Sequence, residues 1–445
     1  MKAVIIGGVA AGMSAASKLK RLMTHAEVTV YERGNFLSYG ACGLPYFIGG
    51  VNSDPNLMIA RSREDFEKQG IKTFLRHEVI GLKPALRMIQ VTDLDSGRTL
   101  EDHYDMLMIA VGCDSAVPPV PGVNLPGVFY IKSMEDSLLF EKIVSLPDVH
   151  SAIIVGGGYI GVEMAEALLK RRLIVTLIEG SERLLFPFEP EFSELAAQEL
   201  EKHGVKLFLN DKVSSIEERT DERIVHTSKG NYSADVVIMC VGIVPATGFL
   251  QDSGIRMAQN GAVIVDREMR TSLDGIYSAG DCAVVYNRIT QEDFFLPLGT
   301  IANKCGRIAG GNMAGRHDKF VGALGTAAIK VCDLEMARTG MSEQDAKRIG
   351  IEYDVCMVSV FNHPAYYPGR QKLMIKLIYE KGTKRLLGAN AAGGMGSGAV
   401  LRTDMYAIAI HAGMSTEELG MVDLAYAPPF SGVWDAVHIA ANAAK

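Results

Sequence analysis

SAIIVGGGYIGVEMAEALLKRRLIVTLIE, residues 151–179, carries the pattern that decides the fold. An apolar run over 151–155 leads into Gly156-Gly157-Gly158-Tyr159-Ile160-Gly161, a helical stretch follows to about Arg171, and a second apolar run ends on Glu179. The glycines permit a tight turn, and the N–H groups at the start of the following helix favour a pyrophosphate. A carboxylate at the position of Glu179 accepts hydrogen bonds from a ribose. The stretch therefore predicts a strand-helix-strand unit that binds a dinucleotide.

The same pattern occurs at the start of the chain. Residues 3–6 are apolar, Gly7-Gly8-Val9-Ala10-Ala11-Gly12 forms the turn, a helix is predicted to about Met23, and the strand Glu27–Tyr31 ends on Glu32. In this copy Val9 replaces the middle glycine. A lone glycine turn is weak evidence, but two copies about 150 residues apart, each with strand, helix and terminal acid, indicate two Rossmann-like domains.

Length and composition fit a folded protein of several domains. The 445 residues suffice for about three domains, with 48% apolar and 22% charged residues. The net charge of −7 gives no general attraction to nucleic acid or anionic membranes. With no secretory signal or apolar segment of about 18 residues, we expect a cytoplasmic protein without membrane association. The seven cysteines form no CxxC pair, so neither a disulfide framework nor a metal site is expected.

Three further segments complete a known arrangement. Residues 104–112 are typical of an apolar strand ending in glycine, and the proline-rich Pro118–Gly122 that follows is typical of an interdomain crossing. Residues 236–245 predict a buried strand leading into a turn, and residues 271–281 predict a strand that ends on Asp281. Together with the glycine turns, these segments resemble the two-dinucleotide-binding disulfide oxidoreductase flavoproteins over essentially the whole chain.

That resemblance implies an α/β fold with FAD- and NAD(P)H-binding Rossmann-like domains and a C-terminal α+β dimerisation domain. The expected segments are 1–112 and 246–322 for FAD, 113–245 for NAD(P)H, and 323–445 for a homodimer interface. The residues expected at FAD are Gly7, Val9, Ala10, Ala11, Gly12, Glu32, Arg33, Ser38, Cys42, Ala110, Gly112, Gly280, Asp281 and Ala302. Those expected at NAD(P)H are Gly156, Gly158, Tyr159, Ile160, Gly161, Glu179 and Gly242.

Glu179 also bears on the choice of nicotinamide cofactor. A carboxylate pairs well with a ribose 2′-hydroxyl and repels a 2′-phosphate, so NADH is favoured. Arg172 and Arg183 lie close to Glu179 in sequence and leave NADPH as the alternative.

The redox centre is expected in Ser38–Phe47, SYGACGLPYF. Most members of the superfamily carry a CxxxxC pair here, whereas this chain has Cys42 and then Phe47 in the second position. Cys42 therefore has no partner for an internal disulfide at this site and must cycle through a mixed disulfide, a persulfide or a sulfenic acid. A helix predicted to start near Cys42 is expected to lower the pKa of its thiol.

The single cysteine resembles the branch that contains coenzyme A disulfide reductases, polysulfide and persulfide reductases, and NADH oxidases and peroxidases. The peroxidases and water-forming oxidases place a histidine within the first glycine turn, at the position of Ala10 here. A methyl group cannot donate a proton, so the sequence favours the coenzyme A disulfide reductases.

In that branch, residues matching Arg21 and Ser38 line the channel of coenzyme A, which is expected here as substrate or bound ligand. Lys18 shares a helix face with Arg21, and Arg61 follows the Cys42 segment. Such cations bind phosphate groups well.

Two C-terminal segments, residues 363–369 and 425–430, resemble those from which the partner subunit supplies active-site tyrosines. The catalytic candidates besides Cys42 are therefore Tyr426 and Tyr367, with Tyr366 as the alternative to Tyr367. A phenol can donate a hydrogen bond or a proton to a departing thiolate.

The expected activity is NAD(P)H-dependent reduction of coenzyme A disulfide, or of a related persulfide or polysulfide, through FAD and Cys42. The alternative is an NADH oxidase that reduces oxygen through the flavin and a Cys42 sulfenic acid.

Overall fold

The computed structural model describes residues 1–220 and 222–445, and three five-stranded sheets organise them. In chain order the strands are β1 Lys2–Ile6, β2 Glu27–Tyr31, β3 Ile71–Phe74, β4 His77–Lys83, β5 Met88–Asp93, β6 Thr99–His103, β7 Met106–Ile109, β8 Cys113–Ser115, β9 Val128–Phe129, β10 Ser151–Val155, β11 Ile174–Ile178, β12 Lys206–Phe208, β13 Val213–Arg219, β14 Glu222–Thr227, β15 Asn231–Ala234, β16 Val236–Met239, β17 Ile243–Pro245, β18 Ile276–Ser278, β19 Val284–Tyr286, β20 Asp293–Phe295, β21 Ala327–Val331, β22 Leu334–Gly340, β23 Tyr353–Phe361, β24 Lys372–Glu380 and β25 Leu386–Gly394. The helices are α1 Ala10–Leu22, α2 Leu44–Ile48, α3 Arg63–Lys68, α4 Met134–Val144, α5 Tyr159–Lys170, α6 Pro190–Lys202, α7 Gly299–Met313, α8 Glu343–Ile349, α9 Ala399–Ala412, α10 Thr416–Leu419 and α11 Ala436–Ala443.

The first sheet is parallel, in the order β18-β7-β1-β2-β3. Its central strand β1 is apolar and buried in one core cluster with residues of α1, α7, β4 and β5. Helices α1 and α7 pack closely, since a Cβ on Gly306 would lie 2.3 Å from the carbonyl oxygen of Ala11. The predicted unit of β1, α1 and β2 is confirmed.

The second sheet, in the order β12-β11-β10-β16-β9, is also parallel and contains the second predicted unit, β10, α5 and β11. The chain passes between the two sheets twice, and these passages run side by side because β8 pairs antiparallel with β17. The proposed boundaries at 112/113 and 245/246 fall at this ribbon. The domain limits themselves stay a prediction.

The third sheet is antiparallel, in the order β21-β22-β25-β24-β23. Helices α9 and α11 pack on it through a buried apolar cluster. Large apolar side chains nevertheless stay exposed on both α9 and the edge strand β23, as in Leu401, Ile408 and Met357. The predicted C-terminal α+β unit is confirmed. Among the described residues no helix is both long and apolar enough to cross a bilayer.

Candidate active site

The two glycine turns have the same local geometry. Gly7 and Gly156 have φ values of +101° and +107°, and a Cβ would lie 2.2 Å from the oxygen of Ala110 and 2.3 Å from that of Cys240, respectively. Only glycine combines this backbone conformation with such close approach. Each turn therefore sits against the strand that runs beside the first strand of its unit.

The terminal acids of the two units also occupy matching positions. Oε2 of Glu32 accepts a hydrogen bond from the N–H of Gly8 at 2.6 Å, and Oε2 of Glu179 accepts one from Gly157 at 2.6 Å. Burial raises the pKa of Glu32, although the N–H groups of Gly34 and Gly8 oppose the shift. Both carboxylates thus lie directly beside a glycine turn, where a ribose is expected.

The turns have the features that bound dinucleotides require. Gly158, which precedes α5, has an ordinary φ of −76°, and apart from its chain neighbours no described residue has an atom within 4 Å of where its Cβ would be. The chain itself does not need glycine there, but a closely approaching pyrophosphate does. Among the described residues, no side chain caps α1 or α5, whereas Ser133 and Ser342 cap α4 and α8. The free N–H groups suit phosphates, so the residues present fit both FAD and NAD(P)H.

The remaining residues expected at FAD gather around the first turn. A Cβ on Gly280 would lie 3.0 Å from the Cβ of Ala11 and 3.8 Å from that of Ala302. Asp281 follows directly, and its Oδ2 lies 3.4 Å from Nζ of Lys132. Gly112, at φ +71°, borders open space.

Two other expected residues fix the surrounding loops. Arg33 forms an ion pair with Asp114 of β8. The N–H of Ser38 donates to the oxygen of Gly8 at 2.9 Å, and the oxygen of Ser38 accepts from Ala60 at 2.8 Å. Ser38 thus joins the FAD turn to the segment that carries Arg61.

At the nicotinamide site, the ring of Tyr159 packs against Phe188, with 6.0 Å between ring centroids. Ile160 is partly exposed, and Gly242, at φ +118°, borders open space.

Cys42 is an exposed free thiol in a 3-10 turn, Ala41–Gly43, that leads into α2. The side chain of Phe47, in place of a second redox cysteine, is buried in α2. A hydrogen bond of 2.8 Å from the N–H of Gly40 to the oxygen of Met58 joins the segment to the chain after α2.

The expectation of a lowered Cys42 pKa is wrong for this chain. Loss of solvent around the thiol raises its pKa, and the carboxylates of Glu163 and Asp281 add to the rise, while Lys132 acts against it. The helix after Cys42 has only five residues, so its dipole is weak. The charges that act on the thiol come from distant parts of the sequence.

Sequence reasoning missed two of these charged residues. Glu163 lies in the first turns of α5, and burial, with a contribution from Glu166, raises its pKa to about 7. A carboxylate just after a GxGxxG turn was a usable signal for Glu163. Lys132 lies in a loop before α4, and no motif marks it.

Two of the three predicted coenzyme A cations, Arg21 and Arg61, contact Ser17 of α1. Nε of Arg21 donates to the oxygen of Ser17 at 3.1 Å, and Nη1 of Arg61 lies 3.3 Å from its Oγ. The side chain of Lys18 faces α7, because its Cε lies 3.7 Å from the point that a Cβ on Gly311 would occupy.

A contact between α1 and α7 was not predicted from the sequence. Oγ of Ser14 donates to Oδ1 of Asn303 at 2.7 Å, which joins α1 to α7. No spacing rule connects residues so far apart in the sequence.

The tyrosine segments meet in the C-terminal domain. The hydroxyls of Tyr366 and Tyr426 lie 3.2 Å apart, and this hydrogen bond raises the pKa of Tyr366. Tyr367 instead makes an edge contact with the ring of His363. Tyr426 is therefore joined to Tyr366 and not to Tyr367. Among the described residues of one chain, no hydrogen bond links either member of this pair to the Cys42 segment.

Comparison with known proteins identifies the group to which the chain belongs. Residues 1–293 match the profile described as pyridine nucleotide-disulphide oxidoreductase, and residues 326–437 match its dimerisation domain. The NAD(P)H sulfur oxidoreductase (CoA-dependent) of Pyrococcus furiosus is 36% identical over 445 residues, which cover 100% of this chain and 99% of the relative. An NADH oxidase of Methanocaldococcus jannaschii is 32% identical, covering 99% and 98%. The NAD-dependent persulfide reductase of A. fulgidus superimposes with a TM-score of 0.95 at 34% identity, covering 99% of this chain and 82% of that one. The chain therefore belongs to the pyridine nucleotide-disulphide oxidoreductase family and is an NAD(P)H-dependent flavoprotein oxidoreductase.

Proposed function

We propose that this enzyme reduces coenzyme A disulfide, or a related persulfide or polysulfide, through the single redox cysteine Cys42. The observation that carries the proposal is an exposed Cys42 thiol with the buried ring of Phe47 where a second cysteine would stand. Because no internal disulfide can close at this site, the sulfur that pairs with Cys42 must come from a substrate. The resemblance to a CoA-dependent sulfur oxidoreductase over the full length supports coenzyme A as the carrier of that sulfur.

The first glycine turn, Glu32 and Asp281 would hold FAD, which would supply the chemistry that accepts hydride from the nicotinamide and passes two electrons to sulfur. The Cys42 thiolate attacks one sulfur of the substrate disulfide, so a Cys42–substrate disulfide forms and one thiolate leaves. Two electrons then release the second thiolate and restore the Cys42 thiolate, and two protons convert the two departing thiolates to thiols. The balance is one disulfide, one NAD(P)H and one proton converted to two thiols and one NAD(P)⁺.

The pair formed by Tyr366 and Tyr426 is assigned as the proton donor to the departing sulfur. Hydrogen bonding between the two hydroxyls leaves one phenolic hydrogen free to point to a ligand. Tyr366, and not Tyr367, is therefore proposed as the partner of Tyr426. In a homodimer, which the matched dimerisation domain supports, the pair acts at the Cys42 of the other subunit.

Substrate binding is assigned to Lys18, Arg21 and Arg61 together with Ser38. Arg61 is oriented by Ser17 and by the ring of Phe66, whose centroid lies 4.3 Å from its guanidinium carbon. Positively charged groups fixed along α1 suit the several phosphates of coenzyme A.

The nicotinamide cofactor is assigned as NADH, with NADPH as the weaker alternative. Oε1 of Glu179 accepts hydrogen bonds from the N–H and Oγ of Ser181, at 2.7 and 2.5 Å. The carboxylate is thus held in a position where it would repel a 2′-phosphate. Free thiols throughout the described residues suit a reducing compartment, so a cytoplasmic location is part of the proposal.

A second candidate is an NADH oxidase that cycles Cys42 through a sulfenic acid. The full-length similarity to an NADH oxidase favours it, and Ala10, which cannot donate a proton, argues against it.

The test is anaerobic NADH oxidation by the purified holoenzyme with coenzyme A disulfide as the sole acceptor. Saturable turnover in the wild type, lost in Cys42→Ser and kept in Cys356→Ser, is the expected result. Turnover of polysulfide alone would reassign the substrate, and turnover of oxygen alone would favour the oxidase. Disulfide turnover that survives in Cys42→Ser would contradict the mechanism.

A further inference from the structure

Arg402 is buried on α9, and its guanidinium joins the bases of both tyrosine segments. Nη2 donates to the backbone oxygens of Asn362 and Phe430, at 3.3 Å each. Nε and Nη2 also donate to the carboxylate of Asp435, with distances of 2.7 to 3.2 Å. One side chain thus contacts two loops that lie far apart in the sequence.

Each of these two contacts lies four residues from a tyrosine. Tyr366 comes four residues after Asn362, and Tyr426 comes four residues before Phe430. The first loop is closed at its base, because Asn362 and Gln371 exchange two hydrogen bonds of 3.0 and 2.8 Å. Arg402 therefore joins the loops at their bases, and the two hydroxyls meet at their tips, 3.2 Å apart.

The direction of the guanidinium is fixed independently of the tyrosines. Asp435 caps the N-terminus of α11, where its Oδ1 also accepts from the N–H of Val437 at 2.8 Å. Nη1 of Arg402 donates to the oxygen of Ser397 at 3.2 Å. The planar guanidinium therefore donates to the carboxylate and to several carbonyl groups at once. A lysine ammonium, with three donors on a flexible stem, cannot reproduce this set of hydrogen bonds.

We propose that Arg402 is a positioning residue that sets the distance between Tyr366 and Tyr426. This inference rests on the proposed function, in which the pair protonates departing sulfur. It assigns Arg402 a role in the sulfur step and none in the reduction of the flavin by NAD(P)H. The pair Arg402–Asp435 would otherwise serve only to stabilise the C-terminal domain.

A buried ion cluster centred on Lys376 of the third sheet, which includes Glu189, Glu191 and Glu343, provides a matched control. Nζ of Lys376 on β24 lies 3.1 Å from Glu189 and 2.8 Å from Glu191, both of which belong to the nicotinamide domain region. This cluster joins the sheet to α6, and none of its hydrogen bonds involves the tyrosine loops. Lys376→Met thus disturbs a buried charge without touching the feature under test.

The first experiment measures the tyrosine pair without relying on turnover. Photo-oxidation of the holoenzyme, followed by mass spectrometry, is expected to yield a dityrosine peptide that joins residues 366 and 426. In Arg402→Lys and in Asp435→Asn the yield should fall towards the background of Tyr366→Phe, whereas Lys376→Met should keep it. An unchanged yield in both Arg402→Lys and Asp435→Asn would overturn the proposal.

The second experiment is a double-mutant cycle on sulfur turnover. Arg402→Lys is expected to lower kcat by about tenfold or more, with an unchanged rate of flavin reduction by NADH. In a Tyr366→Phe/Tyr426→Phe background the same change should have little further effect, because the tyrosines through which Arg402 acts are gone. A full, additive loss in that background would show a structural role only. Absence of turnover in the wild type would count against the proposed function, while the dityrosine yield would still decide the role of Arg402.

Discussion

Nζ of Lys132 lies 3.4 Å from Oδ2 of Asp281, the acid that follows β18 and is expected at FAD. Partial loss of solvent raises the pKa of the nearby Cys42 thiol, as do the carboxylates of Glu163 and Asp281, and the positive charge of Lys132 opposes them. Loss of solvent first, and then the balance between one lysine and two acids, thus governs how readily Cys42 ionises.

Replacing Lys132 with methionine should make Cys42 less reactive. Removal of the charge that opposes the rise would raise the pKa of the thiol further, so its alkylation at pH 7.5 should slow by about two- to fivefold. Iodoacetamide labelling across pH, followed by mass spectrometry of the Cys42 peptide, measures this. The exposed Lys142 provides the control, and equal rates for Lys132→Met and Lys142→Met would exclude the effect.

Gly158→Ala should weaken nicotinamide binding with little effect on the fold. Open space surrounds the point that its Cβ would occupy, whereas a Cβ on Gly161 would lie 1.9 Å from the oxygen of Gly156. Gly158→Ala should therefore raise the Kd for NADH by about tenfold or more while leaving the thermal midpoint nearly unchanged. Gly161→Ala should lower the thermal midpoint itself. Titration with NADH measures the Kd of both variants, and thermal denaturation measures their midpoints. A similar loss of stability in the two variants would contradict the prediction.

Glu163→Gln should change how stability depends on pH. Burial raises the pKa of Glu163 to about 7, so the folded state favours the neutral carboxyl while the unfolded chain ionises near its ordinary pKa. Stability is therefore lost as pH rises from about 4.5 through 7, by an amount on the order of 2 kcal/mol. Glutamine, which stays neutral, removes this loss. Relative to wild type, the thermal midpoint of Glu163→Gln should be higher at pH 8 than at pH 5. An equal difference at both pH values would refute the assignment.

Arg61→Ala should weaken substrate binding without affecting the nicotinamide. Loss of one cation that binds phosphate should raise the KM for coenzyme A disulfide by about five- to twentyfold, with an unchanged KM for NADH. Steady-state kinetics with inorganic polysulfide as a second acceptor separates the two roles, because polysulfide carries no phosphate. The control is Arg98→Ala, an exposed cation between β5 and β6. An equal rise in KM for both acceptors would remove Arg61 from the coenzyme A site.

The nucleotide-binding units could be predicted from sequence because each depends on neighbours within about 30 residues. Gly7, Gly12 and Glu32 lie in one strand-helix-strand unit, as do Gly156, Gly161 and Glu179, and the structure brings each set together. The absence of a second cysteine at Phe47 was also a matter of sequence alone. The α/β class, the C-terminal α+β unit and the family followed from such local patterns.

Tertiary structure alone decided which distant groups act on those local sites. The pKa of Cys42 depends on Lys132, Glu163 and Asp281, which lie in three separate segments of the chain. The helix that follows Cys42 is too short to lower this pKa as the sequence had predicted. Only the structure shows that Tyr426 contacts Tyr366 and not Tyr367, and that Arg402 contacts the bases of both loops, about 30 to 40 positions away along the chain. Electrostatic and hydrogen-bonded contacts depend on distance in space, and the spacing of residues along the chain determines that distance only within single secondary-structure units.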